Sequence, residues 1–376
     1  MTEIYLDNGA TTKPSELCKE KIIELLEKKY GNPSSLHEKG FEAEQELEQA
    51  RNIIASSIKA NAEEIYFTSG GTEANNIAVF GSVKAKKKQG TKIVTTEIEH
   101  SSVYNSIKEL EKDGYEVIYL KPNKDGNITE SQLRESIDEK TILVSVMMVN
   151  NETGTILPVD KIKDIIKQKK SPALLHIDAV QAYSKIPIRV DKLGVDLLSI
   201  SGHKVHGPKG IGALYKKKGI NIIPLTYGGE QQKKIRPGTE PVPLICGFGA
   251  AVEEFKVKEN FDKVTKLNKY LRAQIKDIEG IRINSEENSL PYIINISTNK
   301  IKSETMLHYL SSMGIYVSSG SACAKGQKSR VLKAMNLPEK SIDTAIRISF
   351  SKYNTIEEID KFIYGIKSGI SKLAHI

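Results

Sequence analysis

Little in this sequence can cross-link, chelate or span. Tryptophan is absent, and cysteine occurs three times in 376 residues, at Cys18, Cys246 and Cys323. No two of them stand in CxxC or any other paired spacing. That argues against a disulfide framework and a structural zinc site, and it points to a reducing, cytoplasmic home. No metal site is expected. No stretch approaches the 18 or so apolar residues of a membrane span. The opening MTEIYLDNGATT carries Glu3 and Asp7 and lacks the apolar run of a secretory signal. There is no internal repeat and no low-complexity tract. With 39% hydrophobic and 27% charged residues, the composition is that of a globular protein rather than a disordered chain or coiled coil. Lys and Arg number 55 against 47 Asp and Glu, a net charge of +8. That mild excess permits contact with RNA or an acidic protein and requires neither. Direct nucleic-acid binding is not expected.

Short apolar runs alternate with helical patterns. Strands are expected at Glu64–Thr68, Lys92–Thr96, Glu116–Leu120, Ile142–Val149, Ala173–Val180, Val195–Ile200 and Gly212–Tyr215. Helices are expected at Ala74–Lys88, Val103–Lys112, Glu130–Ile137 and Asp160–Lys169, with Thr129 and Asp160 as N-caps. Such alternation predicts a mostly parallel sheet covered on both faces. Beyond about residue 240 the pattern changes to one long helix, Pro243–Ile278, followed by shorter strands and helices of a smaller α+β domain.

Three segments carry chemistry. In FTSGGTEANN a strand ends at Ser69-Gly70-Gly71-Thr72 and a helix begins. Glycines allow close backbone approach, and the N–H groups of a helix start bind anions, so the segment is either a phosphate cradle or a plain glycine turn with a threonine cap. In LLHIDAVQA, Asp178 stands at the carboxyl end of a strand, the edge that faces the ligand crevice in open α/β sheets. A buried carboxylate needs a donor or cationic partner: a protonated pyridine nitrogen, or a neighbouring Arg or Lys. In LLSISGHKVHGPKGIGALY, Ser201 and His203 flank Lys204 at another strand end, where a lysine amine is easily lowered in pKa; the alternative is a solvated surface loop. A phosphate cradle, a buried acid and a strand-end lysine together match the needs of pyridoxal 5′-phosphate.

With YLDNGATT, YGNPSSLH, EIEHSSV, VNNETG, RPGTEPV, SSGSAC and IRISF added in order, the chain resembles, essentially end to end, the cysteine desulfurases of the class V aminotransferases, fold-type I pyridoxal-phosphate enzymes. The resemblance implies a large domain with a mostly parallel seven-stranded sheet over residues 15–257. A small domain would comprise residues 1–14 and 258–376 and carry the catalytic cysteine loop. It implies that L-cysteine is converted to L-alanine, with the sulfur held as a persulfide and then passed to an acceptor for tRNA thiolation or iron–sulfur cluster assembly. It gives Lys204 the covalent hold on the cofactor and the proton transfer at substrate carbon. Cys323 is the sulfur-accepting nucleophile, and His100 stacks on the ring and moves protons. Asp178 pairs with the ring nitrogen and Gln181 with the phenolic oxygen. Gly71, Thr72, Ser201 and His203 hold the phosphate. Thr239 reaches the partner subunit's phosphate in a homodimer. Asn151 and Arg347 grip the substrate carboxylate, a task suited to a bidentate guanidinium. Asn150 and Asn151 are neighbours on an expected strand, where only one faces the site.

His37, His176, His206 and His308 read as packing or surface histidines, and Cys18 and Cys246 as small core fillers. Cys323 differs, because its loop is small and polar, with Lys325 and Lys328 near enough to favour thiolate. Departures from the family's commonest pattern concern the acceptor. The loop AKGQKSR after Cys323 is shorter than the usual housekeeping form and lacks the Thr or Ser often found after the cysteine. RPGTEP replaces RSGTEN or RSGTLP, and the housekeeping tail is missing. These features resemble the shorter desulfurases of anaerobic Firmicutes-type bacteria, some of which serve a tRNA-thiolating enzyme. A selenocysteine lyase, another class V enzyme and a sulfur-relay scaffold without turnover are the alternatives.

Overall fold

β-Branched runs flanked by turn residues become short strands, buried on both faces in the inner part of the sheet as a covered parallel sheet requires, with the edge strand Glu116–Leu120 only half-buried. The computed structural model describes residues 3–319 and 328–376, so Cys323 and Lys325 lie outside the described residues. Twelve strands occur among the described residues: β1 Ile4–Tyr5, β2 Ile65–Thr68, β3 Lys92–Thr96, β4 Glu116–Leu120, β5 Thr141–Met147, β6 Leu174–Asp178, β7 Leu197–Ser201, β8 Gly212–Lys216, β9 Arg282–Ile283, β10 Ile293–Ser297, β11 Ile315–Tyr316 and β12 Ala345–Ser349. Seven form one sheet in the order β2-β8-β7-β6-β5-β3-β4. Its pairs are parallel except β7–β8 and β8–β2, so β8 alone runs against the rest. The middle strand, β6, ends in Asp178.

Two smaller sheets, β12-β10-β9 and β1-β11, stand beside it. The N-terminal segment stitches them together: β1 pairs with β11, and Asp7 bridges Ser349 at the end of β12. One contiguous apolar core runs from Val144 and Ile177 of the large sheet to Ile294 and Ile346 of the small one.

The structure corrects several local expectations. The long helix is two, Val242–Glu254 and Val257–Lys276, because Phe255 leaves helical geometry (φ −79°, ψ 105°). Its ring is then buried in a stack against His206, with centroids 6.2 Å apart. Asp160 is no N-cap; it lies in a 3-10 turn that enters the helix Ile162–Gln168 without a side-chain cap. Thr129 does cap its helix, in a reciprocal box with Gln132. Asn150 and Asn151 fall in a turn after β5, not on the strand, since the buried Asn150 Oδ1 accepts the N–H groups of Glu152 and Thr153.

The histidines read as structural are so placed. His37 caps the helix Glu38–Ser57, and exposed His308 lies 4.0 Å from Glu304. His206 hydrogen-bonds the Lys13 carbonyl at 2.9 Å. His176 is wholly buried between the hydroxyls of Ser145 (2.8 Å) and Ser199 (3.0 Å). Burial holds His176 down to about 3 and His206 down to about 4. Both are neutral when folded and take a proton below the usual histidine value only on unfolding. Stability therefore falls as pH drops from about 6.5 towards 4, by about 1.4 kcal/mol per unit for each such histidine. We predict that urea unfolding of His176→Gln shows a shallower acid slope than wild type between pH 6 and about 4.5. Identical slopes would contradict this account.

Candidate active site

Strands that run the same way bring their carboxyl ends to one edge, and the chemistry collects there. After β2 come Ser69–Thr72; after β3, Glu99 and His100; after β5, Asn150 and Asn151. β6 delivers Asp178 and Gln181, and β7 delivers Ser201, His203 and Lys204.

Asp178 is 4% exposed, yet it forms no ion pair among the described residues. Its Oδ1 accepts the Val180 N–H at 3.0 Å, and its Oδ2 accepts from Asn75 Nδ2 at 2.8 Å. The same Asn75 amide donates to Ser102 Oγ at 2.8 Å. With its oxygen accepting there, the Ser102 hydroxyl donates to His100 Nδ1 at 2.8 Å, and that nitrogen also accepts the Ser102 N–H at 3.2 Å. These bonds make Nδ1 an acceptor and leave the proton on Nε2. Burial, opposed by Asp178 and aided by Lys204, keeps the His100 pKa below its ordinary value, so the ring is neutral.

The cradle lies one strand away. Gly70 adopts φ 153°, a backbone conformation open essentially to glycine alone, and it starts the helix Gly71–Lys86 without a side-chain cap. A Cβ on Gly71 would lie 2.8 Å from Val180 Cγ2. The first-turn N–H groups therefore have neither intrahelical acceptors nor a cap. Facing this turn, Ser201 Oγ is buried without a hydrogen-bond partner among the described residues. An unpartnered hydroxyl beside a bare helix start suits a phosphate, and a carboxylate with only neutral donors suits a protonated pyridine nitrogen. The residues present fit pyridoxal phosphate.

Lys204 ends a 3-10 turn after β7, and its Nζ donates to the carbonyls of Gly9 (2.6 Å) and Ala10 (2.7 Å). Gln181 Nε2 donates to the same Gly9 oxygen at 2.9 Å, while its Oε1 accepts from buried Lys185 at 3.0 Å. His203 meets Thr11 Oγ1 at 3.2 Å, and its carbonyl accepts from Thr12. Burial, with Lys204 next, lowers His203 to about 4. Arg347, 2% exposed on β12, donates to Asp7 Oδ1 and to the Asn151 carbonyl, each at 2.8 Å; its Nε has no partner among the described residues. The carbon of its guanidinium would stand 3.3 Å from a Cβ on Gly9.

Two expected members are exposed. Thr72 is exposed at the helix start, and Thr239 is exposed in a loop where Arg236 pairs with Glu73 at 3.2 Å. Cys323 lies outside the described residues. Lys328, expected to favour its thiolate, instead pairs with Glu339 and Asp343. Cys18 and Cys246 are buried, and burial raises their thiols to about 11 and about 12, as core fillers require. The sequence reading missed Asn75, Ser102, Gly9 and Lys185. Only Asn75 left a signal, one helical turn after Gly71.

With this geometry in view, the comparisons are consistent. The model of the aminotransferase class-V family matches residues 4–362. The cysteine desulfurase IscS of Dictyoglomus turgidum is 40% identical over 100% of this chain and 96% of its own. The cysteine desulfurase of Nostoc is 41% identical over 96% of this chain and 92% of its own. A solved NifS-like protein superposes with a TM-score of 0.94 at 38% identity, covering 99% of this chain and 100% of that one. The chain belongs to the class V aminotransferase family, whose members are pyridoxal-phosphate enzymes.

Asn75 links Asp178 to His100, so Asn75→Leu removes a charge-assisted donor worth about 1.5–3 kcal/mol. We predict at least about tenfold weaker pyridoxal-phosphate retention by equilibrium dialysis. Wild-type retention would contradict the linkage.

Proposed function

We propose that the chain is a cysteine desulfurase, converting L-cysteine to L-alanine and passing the sulfur through a persulfide on Cys323 to a protein acceptor. The observation that carries this reading is the buried Asp178 carboxylate, which among the described residues has neutral donors only. Pyridoxal phosphate, when bound, supplies the electron sink that makes the substrate α-carbon acidic.

The chain's own residues divide the remaining work. Gly71, Thr72, Ser201 and His203 hold the phosphate, with Thr239 reaching the partner subunit's site. Asp178, ordered by Asn75, keeps the ring nitrogen protonated. Gln181 addresses the phenolic oxygen. His100, held neutral with its proton on Nε2, stacks on the ring and moves protons. With the cofactor bound, Lys204 would be its covalent anchor and would carry a proton at the substrate carbon. Arg347 Nε and the Asn151 side chain meet the substrate carboxylate. The Cys323 thiolate attacks the substrate sulfur. As that S–S bond forms, the carbon–sulfur bond breaks, its electron pair stays with the carbon side, and a proton there completes alanine.

The site-bearing parts divide as residues 15–257 and the small domain 1–14 with 258–376. β1 pairing with β11 supports joining the N-terminal segment to the latter. A homodimer has support in the exposed Leu26 and Phe41 of the helices Glu16–Glu27 and Glu38–Ser57 and the exposed Tyr30 and Leu36 of the segment between them, apolar surface out of place in water. No helix among the described residues is long and apolar enough to cross a membrane. The two buried free thiols suit the cytoplasm. The acceptor is a tRNA-thiolating enzyme or an iron–sulfur scaffold, and the short loop after Cys323 favours the former.

With cysteine as substrate, Cys323 is expected to gain the mass of one sulfur atom by mass spectrometry. Cys323→Ala is expected to lower alanine formation by more than about a hundredfold, the scale on which loss of a reacting group is felt. Undiminished alanine formation would overturn the persulfide route and favour another class V activity. Absence of turnover in wild-type holoprotein would favour the scaffold.

A further inference from the structure

Among the described residues two lysines are buried, Lys92 and Lys185. Lys92 is accounted for by Asp138, 2.8 Å away. Lys185 is 4% exposed and has no carboxylate within ion-pair range among the described residues. Its Nζ donates to Gln181 Oε1 at 3.0 Å and lies 5.8 Å from the centre of the Tyr292 ring. The charged and titratable groups around it are Lys204, Arg347, His203, His206 and Tyr292. Burial first, then Lys204 and Arg347, bring its amine down to about 7. A buried amine without a counter-ion is costly, so its location calls for a reason beyond packing.

The local backbone shows how it is held. After β6 the chain makes successive turns: the Tyr183 N–H meets the Ala179 carbonyl at 2.8 Å, and the Lys185 and Ile186 N–H groups meet the Ala182 carbonyl at 3.0 and 3.1 Å. Ser184 is left-handed (φ 57°), and the chain so turned carries the Lys185 side chain back to Gln181. The Tyr183 hydroxyl, 2.8 Å from Ser57 Oγ, anchors the turn from its other side.

The consequence falls on the direction of an amide. The two ends of a glutamine amide are nearly the same size, so only partners decide which faces the site. Here Lys185 offers a donor to one end, and the Gly9 carbonyl, which can only accept, takes the other at 2.9 Å. Both partners require the same orientation, NH2 towards Gly9 and Lys204.

We infer that Lys185 is a positioning residue, which fixes the Gln181 amide with its NH2 facing Lys204 and thereby supplies the donor offered to the cofactor's phenolic oxygen. This inference rests on the cofactor reading above. Without Lys185 the amide keeps one of its two partners, the Gly9 carbonyl that Lys204 also uses, so its NH2 would be held less firmly, the donor to the phenolic oxygen would weaken, and a proton between that oxygen and the Lys204 nitrogen would be held more tightly.

The test is a pH titration of the visible absorbance of pyridoxal-phosphate-loaded protein. Lys185→Met is expected to raise the midpoint by about half a pH unit or more, a roughly threefold gain in proton affinity. It is expected to lower kcat more than it alters the KM for cysteine. Gln181→Leu is expected to raise the midpoint as well, and Lys185→Met in that background to add nothing, because the two act as one unit. Should Lys185→Met fail to fold, Lys185→Gln, too short to reach Oε1, is expected to shift the midpoint in the same direction. An unchanged midpoint, or additive shifts in the double variant, would overturn the inference. Loaded wild-type protein with no visible band would overturn the cofactor reading, and this inference with it.

Discussion

A carboxylate buried at the end of the middle strand, with an amide and a backbone N–H as its partners among the described residues, sets the terms for the rest of the site. In a low-dielectric crevice such a charge is stable only if a cation completes it. The described residues supply none to Asp178, although Lys204 and Arg347 bond the neighbouring Asp7–Ala10 segment and Lys185 reaches it through Gln181. A protonated ring nitrogen, as proposed above, would be that charge. The Asn75–Ser102–His100 chain then follows, because the donor that steadies Asp178 also fixes which nitrogen of His100 carries its proton.

The segment Asp7–Thr12 is the second organising feature. Asp7 holds Arg347, the Gly9 N–H meets Ser349 Oγ at 2.6 Å, and the Gly9 and Ala10 carbonyls take Lys204. Thr11 and Thr12 meet His203. A few residues of irregular backbone thus join Arg347 of the small sheet to Lys204 of the large one. Displacement of that segment would be felt at both ends.

What the sequence makes legible follows from what is local. Asp178 and Lys204 stand directly after apolar runs, and a parallel sheet puts such positions at its carboxyl edge; the middle place of β6 agrees. The Gly70–Thr72 turn is legible because Gly70 needs a φ that other residues avoid. Pairings across the fold are not legible. Nothing local says that Asn75 meets residues 27 and 103 positions away, or that Lys328 is drawn to Glu339 and Asp343. The unbroken helix expected across residues 243–278 fails for the same reason. Its apolar spacing is continuous, but the burial of Phe255 against His206 is tertiary and decides the break. Asn150 and Asn151 look like a strand because β5 precedes them; the side-chain acceptor of Asn150 turns the chain instead.

The central claim is that Asp178 holds a protonated pyridine nitrogen. It is tested most directly by 15N NMR of the protein loaded with ring-labelled pyridoxal phosphate. The account predicts a pyridinium resonance in wild type that stays protonated through neutral pH and moves to the unprotonated position in Asp178→Asn. An unprotonated ring nitrogen in the wild-type protein, or one indifferent to the substitution, would contradict it.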